Sequence, residues 1–221
     1  MNILLVAATK DELHPFIEKY KVPMARHLSS FKSTNHSITI LITGVGMVAT
    51  TFYLTKLFTE NSSFDLAINA GIAGAFAPTI KIGEVVYVTE ESFGDIGAED
   101  GDNFISIFEL GFIQKNEFPY INGKLKSEYI YDHNLRTVTG LTVNTNHGNE
   151  VSIEKAKNKF NANIESMEGA AVAYCCSQFK IPWIEIRSIS NCIERRDKKN
   201  WNIPLAITNL NTWLINFIDK K

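Results

Sequence analysis

The sequence predicts an α/β protein: a single domain with a mixed, mostly parallel central sheet flanked by helices. Its 221 residues are 45% hydrophobic, which is enough to bury one substantial core. Short apolar segments alternate along the chain with longer segments of helical periodicity, as in sheets whose strands are joined by helices. The first apolar segment, residues 2–8, lacks polar alternation and is typical of a strand buried on both faces.

The remaining elements follow from the same patterns. Further strands are predicted at 26–32, 37–42, 64–70, 83–89, 137–143 and 182–190, and helices at 10–20, from Gly46 to about 58, 152–160, 168–179 and 203–218. Residues 92–133 mix polar, Gly, Asn and aromatic residues, so we interpret them as a long active-site excursion with a short helix at 103–110. The whole chain, 1–221, is then one domain.

Charge and cysteine content exclude several classes of protein. The formal net charge of -2 comes from interspersed acids and bases, so no basic face is offered to nucleic acid or to an anionic membrane. The apolar run at residues 3–8 is too short for a signal peptide, which favours a cytoplasmic protein. Three cysteines, two of them adjacent, suit neither a disulfide framework nor a zinc site. An acidic cluster lacks the downstream Glu of a calcium loop and is interpreted as solvated: Asp95, Glu99, Asp100 and Asp102.

Polar and glycine-rich segments follow the predicted strands. Because ligands bind beyond the carboxyl ends of parallel strands, these segments are expected to converge on one cleft. Glu168 either accepts hydrogen bonds from a sugar or simply stabilises the positive end of the helix that follows it. Asn191 either contacts a ligand or serves as a cap or turn residue. The segments are Asp11 with Glu12, Gly44 to Gly46, Asn69 to Gly74, Glu165 to Glu168, and Ser190 with Asn191.

Six segments in a characteristic order carry a family resemblance. They are the N-terminal strand ending in Asp11-Glu12, Gly44-Val45-Gly46, Asn69-Ala-Gly-Ile-Ala-Gly74, Ala77-Pro78 to Gly83-Glu84-Val85-Val86, Ser166-Met-Glu-Gly-Ala-Ala171 and Arg187-Ser-Ile-Ser-Asn191. By this ordered combination the chain resembles the nucleoside hydrolase and phosphorylase family that includes methylthioadenosine/S-adenosylhomocysteine nucleosidase. The resemblance implies a nucleoside phosphorylase-like fold, a purine nucleoside and water as reactants, no metal or cofactor, and a homodimer or higher homo-oligomer.

Within that family, three segments resemble the futalosine hydrolase branch: Gly94 to Phe104, Glu109 to Phe112 and Ser190 to Trp201. Enzymes of this branch hydrolyse the N-glycosidic bond of futalosine in menaquinone biosynthesis and release hypoxanthine and dehypoxanthine futalosine. Three alternatives stay open. They are a methylthioadenosine/S-adenosylhomocysteine nucleosidase, a purine nucleoside phosphorylase, and a non-catalytic nucleoside-binding protein on the same scaffold.

Glu12 and Asn191 are the expected catalytic residues. Carboxylates in this place would repel phosphate but can deprotonate water, so Glu12 is the expected general base. Asp11 is the weaker candidate, because the family resemblance aligns without a gap at Glu12. For either acid alone, the helix dipole is a sufficient explanation. Asn191 offers a donor to the O6 of a 6-oxopurine and an acceptor to a protonated N7. It therefore favours hypoxanthine over adenine, by about 1–3 kcal/mol for a wrong partner left unpaired.

The other site predictions concern substrate binding. The backbone at Gly71 to Gly74 is expected to form close-approach turns along the nucleoside, with tight packing the alternative explanation for each glycine. One of two arginines is expected to meet a carboxylate on the 5′ substituent. Asn144 to Gly148 replaces the family segment that supplies a stacking aromatic, so no aromatic is assigned to the base. The expected binding residues are Glu168, Met167, Gly71, Ile72, Ser190, Arg195 and Arg196.

Overall fold

The structure, a computed structural model, describes residues 1–60, 63–129 and 134–220. Its helices are α1 (His14–Tyr20), α2 (Met47–Glu60), α3 (Glu150–Phe160), α4 (Gly169–Gln178) and α5 (Ile203–Asp219). Its strands are β1 (Asn2–Ala7), β2 (Leu28–Lys32), β3 (Ser37–Ile42), β4 (Leu66–Ala75), β5 (Val85–Phe93), β6 (Gly97–Asp100), β7 (Asn103–Ser106), β8 (Leu125–Lys126), β9 (Arg136–Thr142), β10 (Ile164–Ser166) and β11 (Trp183–Cys192).

The strands form one large mixed sheet in the order β10-β9-β5-β11-β4-β1-β3-β2, with β8 beside β5. β1 pairs in parallel with β3 and β4, and β4 pairs in parallel with β11. β5 runs antiparallel to β11. Because β10 also pairs with β4, the strands β4, β11, β5, β9 and β10 close into a ring. The predicted mixed sheet flanked by helices is confirmed.

Strand direction explains why the polar segments meet. β1, β3, β4 and β11 run the same way, so the segments that follow them emerge at one edge of the sheet. β10 meets β4 at Ala75 and Gly74 and runs back along it in the opposite direction. Met167 and Glu168, which follow β10, are thereby brought beside the carboxyl-terminal half of β4.

Apolar side chains fill both faces of the sheet and the ring. Phe16 of α1 and Leu210 of α5 pack on one face, and Leu54 of α2 and Val172 of α4 pack on the other. Each strand of the ring contributes to a third cluster, with Ala73, Ile189, Val86, Val138 and Ile164 from β4, β11, β5, β9 and β10. Within the described ranges, no helix combines the length and apolar character needed to cross a membrane.

Three local expectations are corrected. The short helix predicted at 103–110 is wrong, because Asn103–Ser106 is strand β7 and pairs with β6 in an exposed hairpin. The turn expected at Gly71 to Gly74 is also wrong, because β4 continues to Ala75. β5 extends to Phe93, so the chain leaves the sheet at 94 rather than 92. The end of the predicted excursion, 130–133, lies outside the described residues.

Candidate active site

A cavity of about 350 Å³ lies at the carboxyl ends of β1, β4 and β11, within the usual size range of small-molecule sites. Its walls come from the turn after β1, the end of β4, the segment between β10 and α4, and the loop after β11. Seven predicted site residues line it: Glu12, Ile72, Met167, Glu168, Ser190, Asn191 and Arg196. Gly71 and Arg195 are not among the lining residues.

Glu12 is held with both carboxylate oxygens engaged. It lies in a single 3-10 turn, Asp11–Leu13, directly after β1. Its Oε2 accepts from the backbone N–H of Thr9 at 2.9 Å and from the Thr9 hydroxyl at 3.0 Å, and its Oε1 accepts from the N–H of Ile72 at 3.1 Å. Asn211 of α5 fixes the turn by donating to the Glu12 carbonyl at 2.8 Å. Glu12 is buried and Asp11 is exposed, so Glu12 is the better-positioned base.

The Glu168 side chain belongs to the cavity rather than to the helix that follows it. It makes no capping hydrogen bond to α4, every residue of which the structure describes. Its Oε1 instead accepts from the N–H of Gly46, 2.9 Å away at the start of α2. A positive φ of 91° at this position, readily adopted by glycine, accompanies this contact. Burial raises the pKa of Glu168, an effect that Arg187 partly offsets.

Arg187 is a site residue that the sequence reasoning missed. Its guanidinium is only 1% exposed, its Nε donates to Glu185 Oε1 at 2.7 Å, and its Nη1 lies 3.9 Å from Glu168 Oε2. Burial alone would lower the pKa of Arg187, but the surrounding carboxylates of Glu185, Glu168 and Glu12 raise it. The sequence did contain a signal for this residue. Glu185 and Arg187 are opposite charges two residues apart in a largely apolar strand, and side chains at that spacing share a face.

Glu91, Glu185 and Arg187 form a buried charge cluster. Glu91 is fully buried, and its Oε2 accepts from the Thr142 hydroxyl at 2.8 Å. A Cβ on Gly169 would lie 2.7 Å from both Glu91 Cδ and Glu185 Oε1, so the two carboxyl groups meet beneath the start of α4. Burial, and then the charge of Glu185, raise the pKa of Glu91 well above its usual value. Burial therefore favours the uncharged form of Glu91 beside the Glu185–Arg187 pair.

Asn191 lies at a bulge in β11, between Ile189 and the last residue of the strand. Its Oδ1 accepts from the Ser190 hydroxyl at 2.7 Å, and its Nδ2 donates to the Cys192 carbonyl at 2.9 Å. These two bonds fix which end of the amide is donor and which is acceptor. Each end retains one unused hydrogen-bonding position, because an amide oxygen accepts twice and an amide nitrogen donates twice.

His147 and Glu165 also line the cavity, and neither was assigned a role from the sequence. The His147 ring hydrogen-bonds through Nδ1 to Glu165 Oε2, and its backbone N–H donates to Glu165 Oε1 at 3.0 Å. Beside them, Asn146 Nδ2 donates to Met167 Sδ at 3.5 Å. The segment that lacks the family's aromatic therefore places an imidazole in the cavity.

The two arginines after β11 are placed differently. Both are exposed, but Arg196 lines the cavity, with its guanidinium carbon 4.9 Å from the ring centre of Trp201, whereas Arg195 does not line it. Trp201 is the aromatic side chain that forms this end of the cavity. Among the described residues, no group of three or more His, Cys, Asp or Glu side chains is arranged to hold a metal ion.

Comparison with known proteins relates this geometry to a family. The Phosphorylase superfamily model matches residues 2–218. Futalosine hydrolase of Streptomyces coelicolor is 30% identical over 68% of this chain and 64% of its own length. A 5′-methylthioadenosine/S-adenosylhomocysteine nucleosidase of Pseudoalteromonas translucida is 25% identical over 96% of this chain and 93% of its own. The native futalosine hydrolase structure of Helicobacter pylori strain 26695 has the same fold, with a TM-score of 0.79, 17% identity and coverage of 99% and 97%.

Proposed function

The chain belongs to the Phosphorylase superfamily and is a hydrolase of N-glycosidic bonds, and we propose that its substrate is futalosine. The products would be hypoxanthine and dehypoxanthine futalosine, as in menaquinone biosynthesis. This proposal is supported by the futalosine hydrolase of Streptomyces coelicolor among its relatives. The methylthioadenosine/S-adenosylhomocysteine nucleosidase of Pseudoalteromonas translucida supplies the main alternative.

The observation that carries the choice of base is the orientation of the Asn191 amide. Its unused N–H can donate to the O6 of hypoxanthine, and its Oδ1 can accept from a protonated N7. Adenine presents an amino group at position 6, which would meet that N–H donor to donor. A 6-oxopurine is therefore preferred, by about 1–3 kcal/mol for one unpaired buried group.

Glu12 and Glu168 divide the remaining chemistry. Glu12, with both oxygens already oriented, takes a proton from the attacking water. Glu168 accepts hydrogen bonds from ribose hydroxyls and so stabilises the positive charge that builds on the sugar. Water is the preferred nucleophile over phosphate because Asp11 and Glu12 place negative charge at this end of the cavity.

Arg196 is the better candidate of the two arginines for the 5′ substituent. It lines the cavity and stacks on Trp201, so a benzoate group would find a flat apolar surface and a cation together. Its neighbour Arg195 is exposed and does not line the cavity. We assign carboxylate recognition to Arg196.

A homodimer is the proposed assembly. Helix α2 begins beside the cavity and exposes apolar side chains one turn apart, with Val48 82% and Phe52 60% exposed. Val45, just before the helix, lines the cavity and is 56% exposed. An exposed apolar face of this kind is typical of a protein interface.

The proposed substrate can be tested by measuring which nucleosides release a free purine base. The protein is incubated with futalosine, inosine and methylthioadenosine, each with and without phosphate, and the bases are separated by chromatography. We expect hypoxanthine from futalosine, less from inosine, little adenine, and no dependence on phosphate. Faster cleavage of methylthioadenosine would assign the chain to the alternative activity, and a requirement for phosphate would make it a phosphorylase.

A further inference from the structure

The pair formed by His147 and Glu165 is built as an oriented proton carrier. Glu165 is 4% exposed, and both of its carboxylate oxygens hydrogen-bond to His147, one to the ring and one to the backbone N–H. Since Nδ1 is engaged by the carboxylate, Nε2 is the ring nitrogen left for the cavity. Nε2 has no hydrogen-bond partner among residues 1–60, 63–129 and 134–220.

Strand register puts this pair at the end of the cavity where Asn191 lies. Glu165 of β10 pairs with Gly74 of β4, and Asn191 of β11 pairs with the same Gly74 from the other side. Glu165 and Asn191 thus flank one glycine at the same level of the sheet. The backbone and Cβ of Arg196 lie beside Gly148, the residue after His147, whereas its guanidinium stacks on Trp201. Glu12 instead accepts from the N–H of Ile72, two residues before Gly74 in β4.

The proposed reaction requires a proton donor at the Asn191 end of the cavity. Hypoxanthine departs readily only if its ring gains a proton as the bond breaks, and the Asn191 amide has no acidic proton to release. Building on the proposed function, we propose that His147 is the general acid that protonates the leaving purine, with Glu165 as its positioning residue. Asn191 then recognises O6 and the newly protonated imidazole half of the base.

The charges around His147 favour the protonated ring that this role requires. The hydrogen bond with Glu165 raises the pKa of His147 above its usual value, and Asp95 adds to this effect, whereas burial opposes it. A cation close by in the fold is Arg196, whose Cβ and backbone lie beside Gly148 while its guanidinium stacks on Trp201. The hydrogen bond with Glu165 therefore favours the imidazolium form of His147.

The step balances in protons and electrons. The C1′–N9 bond breaks and its electron pair passes to the purine, which receives the Nε2 proton of His147 and leaves as neutral hypoxanthine. Water adds its hydroxyl to C1′, and its second proton goes to Glu12. Exchange with solvent after product release returns a proton to His147 and removes one from Glu12.

Two substrates with different leaving groups test this assignment. A purine nucleoside needs the acid, whereas 4-nitrophenyl β-ribofuranoside releases a stable anion and does not. In His147→Ala and His147→Gln, kcat for the nucleoside is expected to fall roughly 10²–10⁴-fold, the usual contribution of a general acid. Cleavage of the nitrophenyl riboside should be largely kept. His36→Ala, in the hairpin between β2 and β3, is the histidine control and should behave as wild type.

A pH profile supplies the second measurement. For the nucleoside, kcat/KM of the wild type should fall as pH rises through the raised pKa of His147, and this alkaline limb should vanish in His147→Ala. Glu165→Gln should move the limb to lower pH. Equal losses on both substrates, or an unchanged alkaline limb in His147→Ala, would overturn the assignment. If another purine nucleoside is cleaved and futalosine is not, the substrate proposal fails and the same tests on that nucleoside still decide the role of His147.

Discussion

Gly71→Ala is a single-methyl change whose effect on the charge cluster can be worked out in advance. Gly71 is buried in β4, and its φ lies outside the left-handed region, so the backbone itself tolerates alanine. The new Cβ would overlap Nη1 of Arg187 and lie 2.8 Å from Glu12 Oε1. Ordinary carbon contacts are about 3.5 Å, so the carboxylate must move by roughly 0.7 Å and the guanidinium, which lies closer to the new Cβ, must move farther.

This displacement determines how much stability and activity Gly71→Ala should lose. Overpacking a core costs about 1–3 kcal/mol, which corresponds to a Tm lower by roughly 2–12 °C for a chain of this size. A shift of about 1 Å in a positioned group can cost ~10²-fold in rate, so kcat should fall by that order while KM changes little. Gly71 lies behind Glu12 rather than on the cavity surface, and this explains why kcat is the affected quantity.

Steady-state kinetics on the cleaved nucleoside and thermal unfolding give both numbers. Gly148→Ala is the stability control, because its Cβ would meet Arg196 at ordinary distances of 3.6 and 3.9 Å and should leave Tm unchanged. A Gly71→Ala enzyme with wild-type kcat and Tm would refute the packing argument. An increase in KM alone would instead place Gly71 against the substrate.

Three further predictions concern the buried charge cluster, the choice of purine base and the proposed dimer. Glu91→Gln should cost no more than about 1 kcal/mol at pH 7 because burial already favours the uncharged form of Glu91, whereas Glu185→Gln removes the hydrogen-bonded carboxylate of buried Arg187 and should cost about 3–5 kcal/mol, both measured by urea unfolding. Because the folded-state pKa of Glu91 is raised, wild-type stability falls as pH rises above its usual 4.5, and Glu91→Gln should lack that fall; equal pH dependence would contradict this. Asn191→Asp should lower kcat/KM for 6-oxopurine nucleosides about 10–100-fold relative to methylthioadenosine, and an unchanged ratio would remove its role. Phe52→Glu should prevent the proposed dimerisation, so that light scattering gives the mass of a monomer for this variant and of a dimer for the wild type; equal masses would exclude this face.

Much of the fold was predictable because its strands are apolar and its helices periodic. Residues 37–42 coincide with β3, and the other predicted strands overlap the observed ones. β10 was not assigned, since a three-residue strand carries too little pattern to be recognised. Residues 103–110, which begin with β7, were predicted as a helix because β7 is only four residues long and too short to show the alternation that marks a strand.

In the site, residues beside strand ends were predictable and long-range partners were not. Glu12, Glu168 and Asn191 follow or end strands, and all three line the cavity. The contact of Arg187 with Glu168 depends instead on how β11 and β10 both border β4, which no local pattern encodes. The His147–Glu165 pair joins a loop to a short strand 18 residues later, and it is visible only once both are placed.

The closed ring of strands has a consequence for hydrogen exchange. β4 and β11 each have strand neighbours on both sides, so their amide protons should exchange only when the whole molecule unfolds. The segment 193–202, which carries Arg196 and Trp201, is largely exposed and should exchange through local opening. The charged residues of β11 thus lie on a strand whose amide protons exchange slowly. The segment 193–202, where we propose that the 5′ substituent binds, is expected to open locally and admit the substrate.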